Sequence, residues 1–150
     1  MSGAVICGVD DSGAAAGALP VARGLAARYE LPLHLVHVVT PHAGAEERAA
    51  GSALAERAAG ATATWEVETG HPADQLVAVA EERGASFLVV GCHGPRSSLL
   101  GSVSAEVSRR ASCPVVVVPE TVRQEPPLRI GGRFAGGIAR FGLGRVHAAD

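Results

Sequence analysis

Residues 89–107, VVGCHGPRSSLLGSVSAEV, hold the groups of this chain best suited to binding chemistry. Three glycines, Gly91, Gly94 and Gly101, lie between an apolar run and a helical pattern, and Ser102 and Ser104 follow the last of them. Glycines let backbone N–H groups approach a phosphate closely, and a helix N-terminus adds partial positive charge. Two serines can add hydroxyl donors. Asp10, at the end of the first apolar run, can accept hydrogen bonds from a ribose or a base. Together these groups describe a nucleotide site. Spacing alone leaves a second reading open, in which the glycines serve turns and Ser102 caps a helix.

Other reactive side chains point to less. Cys92 and His93 are adjacent in the glycine segment, but a Cys-His nucleophile lacks a third member there, and the chain contains no Asn. Arg96 is the one basic residue of that segment, placed to face a phosphate or solvent. Asp10 and Asp11 could hold magnesium beside a nucleotide, with Asp10 the better placed and Asp11 facing solvent. Ser12 is expected to start the helix that follows. His34 and His37 are three apart on a strand pattern, so they face opposite ways and cannot share a metal. Cys7, Cys92 and Cys113 are odd in number and widely spaced, which fits neither a disulfide framework nor zinc. All 13 basic residues are Arg, which excludes a P-loop lysine, a Schiff base and a Ser-Lys pair. No catalytic residue and no metal set emerge.

The elements that must position these groups come from hydrophobic patterning. Residues 4–9, 33–39, 86–90 and 115–118 are apolar runs without alternation, the mark of strands covered on both faces. Residues 64–69, TWEVET, alternate, with Trp65, Val67 and Thr69 on one face, as on an edge strand with one wet side. Helical patterns fill the gaps at 12–29, 46–59, 72–84 and 102–112. Pro20 predicts a kink or a late start in the first. Pro72 and Gly84 bracket the third, and Glu106 and Arg110 are placed for an i,i+4 pair in the fourth. Five strands alternating with four helices predict an α/β fold, an open doubly wound parallel sheet with right-handed crossovers. Hydrophobic residues make up 47% and aromatics only 3%, so the core must be built from Val, Ala and Leu.

Charge and length bound the partners. A net charge of −2 gives no reason to expect nucleic acid or an anionic membrane, and no apolar run approaches a membrane span. The start, MSGAVICGVDD, reaches acids too early for a signal peptide, so a cytoplasmic protein is expected. The predicted domain is 1–119, with eight Arg against twelve acids; the tail 120–150 has five Arg against three acids and six glycines. Ile130, Phe134, Ile138 and Phe141 give that tail an apolar stripe, either within a disordered or loosely docked segment or on a helix that docks on a partner or membrane surface.

With these segments in view, residues 4–119 resemble the universal stress protein family. The resemblance is carried by VICGVDDS, LHLVHVV, GHPADQLVAVAEERGASFLVVG and GSVSAEVSRRASCPVVVVP. It implies strand order 3-2-1-4-5 and a homodimer formed through the last strand, Val115, Val116, Val117 and Val118, an apolar edge that needs covering. Many members bind ATP through Gly, two residues, Gly, nine residues, then Gly with Ser or Thr. Here Gly91 and Gly94 keep the first interval, but only six residues precede Gly101-Ser102. The three missing residues remove ~10 Å of reach. The resemblance thus assigns nucleotide binding to Asp10, Val38, Gly91, Gly94, Gly101, Ser102, Val103 and Ser104, with Asp10 and Val38 where ribose and adenine are held. It implies a stress-response sensor or adaptor that binds ATP or a smaller adenine nucleotide, with or without Mg2+, and catalyses at most slow ATP hydrolysis. The alternative is a dimeric interaction module that has lost nucleotide binding. A ligase or pyrophosphatase would need a more polar and basic phosphate loop than DDSGAA.

Overall fold

The computed structural model describes residues 2–92 and 101–120, apart from the side chains of residues 13 and 14. Gly94, His93, Arg96 and the tail beyond Glu120, with its apolar stripe, lie outside the described residues. The elements alternate as expected: β1 (Ala4–Gly8), α1 (Gly13–Tyr29), β2 (Leu33–Val39), α2 (Ala45–Ala59), β3 (Thr64–Thr69), α3 (Pro72–Glu82), β4 (Ala85–Cys92), α4 (Ser102–Arg110) and β5 (Val115–Pro119). The strands form one sheet of order β3-β2-β1-β4-β5, every pair parallel. No helix among the described residues is long and apolar enough to cross a membrane.

The unbroken apolar runs are explained by two separate cores. Val5, Cys7 and Val9 of the first strand region, with Leu33, Leu35, Val89 and Val118, pack beneath Ala18, Ala22 and Ala26 of α1 and Ala55 and Ala59 of α2. On the other face Ile6, Val36, Leu88 and Val90 meet Leu76, Val79 and Ala80 of α3 and Val107 of α4. Alanine on the first pair of helices lets them sit close to the sheet, which suits a chain with few aromatics.

Two local expectations are corrected. Of the two outcomes expected at Pro20, the late start does not occur: α1 runs from a Ser12 cap through Pro20 to Tyr29. The carbonyl four residues back, on Ala16, loses its donor, yet Ala16 and Pro20 are both exposed, so water can replace it. β3 is an edge strand, but its alternation does not yield a buried face: Trp65 remains 37% exposed. The helix beside it, α2, buries only Gly51, Ala55 and Ala59, too small a surface to cover an indole.

Candidate functional site

The first two strands and the fourth end at a common rim, and β1 lies where the strand order reverses. Chain leaving β1 turns into α1 on one face, while chain leaving β4 turns into α4 on the other. Such a reversal leaves a crevice outside the carboxyl ends of the strands. The crevice here is an open-mouthed cleft of ≈ 170 Å³.

Seven of the eight site residues expected from sequence line this one cleft: Asp10, Val38, Gly91, Gly101, Ser102, Val103 and Ser104. The eighth, Gly94, lies outside the described residues. The floor and walls are apolar, from Val36, Val38, Leu76 and Val90. Gly8, Pro72 and Cys92 also line it; the sequence points to Cys92 only as a nucleophile and to Pro72 only as a helix start, and not to Gly8 at all. A Cβ on Gly8 would come within 3.3 Å of both Leu76 methyls, so glycine keeps the floor open.

The polar groups sit at the rim. α4 begins with Gly101 as its N-cap, with no side-chain cap and no acid in its first turn. Its leading amides and the positive end of its dipole therefore remain available to an anion. The capping role considered for Ser102 is not taken up. Ser104 is 1% exposed, and its hydroxyl donates to the Gly101 carbonyl at 3.0 Å. Its hydrogen is spent, so it is not the free donor expected from sequence. Asp10 is exposed, and its Oδ1 accepts from both the N–H and the hydroxyl of Ser12. A second depression, bounded by Asp11, Leu19, Leu54 and Arg57, lies between α1 and α2 and shares Asp10 and Ser12 with the cleft.

The remaining titratable groups have structural partners. His34, 3% exposed, hydrogen-bonds Thr64 Oγ1 through Nδ1 at 2.7 Å. Its Nε2 lies 2.9 Å from Glu66 Oε1, an ion-pair distance whose geometry is too bent for a good hydrogen bond. Burial pushes the Glu66 carboxyl up, but the Arg83 hydrogen bonds and the nearby Arg83 and His34 outweigh it and hold it below the ordinary carboxylate range. His37 faces the other way, donating from Nδ1 to the Val9 carbonyl at 2.8 Å. Burial pushes the Cys7 thiol up to about 12 and also raises Cys113. His71, Asp74 and Glu106 place ligand atoms within 4.8 Å of one another. However, Arg110 already pairs with both Asp74 and Glu106, the latter at 3.5 Å, and a cation would have to displace it. All three cysteines are free.

Comparison with known proteins agrees with this fold. Residues 42–119 match the model of the universal stress protein family. The universal stress protein YxiE of Bacillus subtilis (strain 168) is 42% identical over 52 residues, a match spanning 33% of this chain and 35% of that protein. The crystal structure of a universal stress protein in complex with cAMP is 27% identical, with a TM-score of 0.60, covering 79% of this chain and 98% of the other. A universal stress protein from Archaeoglobus fulgidus in complex with dAMP superimposes with a TM-score of 0.64 over 78% of this chain and 98% of that one; at 22% identity the likeness concerns the fold. The match across more than half of the sequence, on a sheet of order 3-2-1-4-5, places the chain in the universal stress protein family.

Proposed function

We propose that this chain is a stress-response domain that binds an adenine nucleotide in the cleft and acts as a sensor or adaptor. The observation that carries the reading is the convergence of Asp10, Val38, Gly91 and the α4 start, Gly101 to Ser104, on one cleft. The apolar walls suit a base, Asp10 suits sugar hydroxyls, and the uncapped amides of α4 suit a phosphate. A relative of similar fold and 27% identity is a complex with cAMP, which supports an adenine nucleotide as the ligand class. Binding rather than turnover is favoured because the described lining holds one carboxylate and no histidine to serve as a general base. ATP, with or without Mg2+, and smaller adenine nucleotides belong to the same proposal, as do residence in the cytoplasm and a homodimer through β5.

The test is direct. The purified chain is freed of unbound small molecules and denatured, and the supernatant is assayed for nucleotide. Calorimetric titration with ATP, ADP and AMP follows, with and without Mg2+. Stoichiometric nucleotide, or micromolar binding abolished by Asp10→Ala, is the expected result. No nucleotide and no heat with any of the three overturns the reading. The six-residue interval between Gly94 and Gly101 supports a second reading, a dimeric interaction module without a ligand, which that negative result would favour.

A further inference from the structure

Ser12 lines the cleft, yet its hydroxyl has nothing left to offer a ligand as a donor. A hydroxyl carries one hydrogen. That hydrogen goes to Asp10 Oδ1, while the oxygen accepts the Ala15 N–H of the first α1 turn at 3.3 Å. The backbone N–H of Ser12 donates to the same Asp10 oxygen at 2.8 Å. One side chain thus joins the cap of α1 to the carboxylate of the cleft. Asp10 is exposed, and an exposed carboxylate without partners spreads over several rotamers. Here two donors converge on Oδ1, while Oδ2 has no partner among the described residues.

We propose that Ser12 is a positioning residue. It holds Asp10 in one rotamer with Oδ2 available to accept from a sugar hydroxyl, so the cleft favours a nucleotide whose ribose carries a free hydroxyl. The inference rests on the adenine-nucleotide reading and adds a residue through which that reading acts. α1 therefore does more than cover the sheet, because its N-cap sets the ligand-facing acid. A residue that merely caps a helix would stabilise the fold and leave ligand selectivity alone.

The experiment compares AMP with 2′,3′-dideoxyadenosine 5′-monophosphate on the wild type, Ser12→Ala, Ser12→Gly and Ser12→Thr. Glycine is included because it gives up the hydroxyl while remaining an acceptable N-cap, so one hydroxyl-free variant stays folded. A charge-assisted hydrogen bond to a hydroxyl corresponds to roughly a tenfold preference for AMP in the wild type. Ser12→Gly and Ser12→Ala are expected to lose that preference while binding the dideoxy compound unchanged, and Ser12→Thr to keep it. A preference that survives in Ser12→Gly overturns the proposal. Three-bond Hα–Hβ couplings of Asp10 in the ligand-free protein give a reading that needs no nucleotide. They should report a single rotamer in the wild type and Ser12→Thr, and an average in Ser12→Gly. A single rotamer retained in Ser12→Gly also overturns the positioning role. A wild type that binds neither compound but shows the expected couplings removes the nucleotide reading and leaves the positioning of Asp10 standing.

Discussion

Glu66 shows how a single carboxylate on the sheet edge ties stability to pH. Burial alone would raise its pKa, but Arg83, at 3.2 Å from Oε2, and His34 overcome that and lower it. A carboxyl whose folded value lies below its unfolded one stabilises the fold above the unfolded pKa of about 4.3. That contribution disappears as pH falls from there through the folded value. Asp74, held down by its hydrogen bond to Arg110, adds to the same acid limb. Thermal unfolding measured between pH 7 and pH 2.5 should therefore fall less steeply for Glu66→Gln than for the wild type, the two curves converging at the acid end. Parallel curves would show that the Glu66 pairs carry no net stability. Cys7 gives a second reading at this scale. With its thiol raised to about 12 and its side chain in the core, it should remain unmodified by a thiol reagent at pH 8 until the chain unfolds. Rapid labelling of Cys7 in the native protein would contradict that packing.

The α2 helix shows which features of an element were legible in the sequence and which were not. Its place, its Ala-rich composition and the strands around it follow from periodicity, because runs without alternation must be covered on both faces. The pairing of Gly51 with His37 does not, because it depends on how the helix settles on the neighbouring strand. A Cβ on Gly51 would lie 2.6 Å from His37 Cδ2 and 2.9 Å from Nε2. The ring cannot easily turn aside while its Nδ1 holds Val9. Gly51→Ala gains about 1 kcal/mol of helix propensity and loses roughly 1–3 kcal/mol to overpacking. The net expectation is destabilisation, seen as a lower urea midpoint. In a His37→Ala background the clash is gone, so the same substitution should raise the midpoint. An identical effect in both backgrounds would show that the ring is not what keeps position 51 a glycine. The cleft divides in the same way. Gly91, Gly101 and Ser102 announce themselves by type and spacing. Gly8, Pro72 and Leu76 line the cavity only because β1 and α3 are brought together, which linear spacing does not encode.

At the scale of the molecule, the two edge strands of the sheet are built differently. β3 carries Thr64, Glu66 and Glu68 along one side, with Glu66 tied to His34 and Arg83. Charged residues on an edge discourage another strand from pairing with it. β5 carries Val115, Val116, Val117 and Val118 with no charge among them, and the first three are only half-buried. An apolar, uncharged edge is the one a second copy would cover, which is why the proposed homodimer uses β5. The contrast separates the two edges experimentally. Val116→Arg places a cation on the β5 edge and should convert a dimer to a monomer in sedimentation, with far-UV circular dichroism unchanged. Thr64→Arg adds the same charge to the β3 edge and should leave the dimer intact. If Val116→Arg disturbs the fold, the wild type still decides the matter. A chain that sediments as a monomer at tens of micromolar has no β5 dimer, and a dimer lost in Thr64→Arg but kept in Val116→Arg assigns the contact to the other edge.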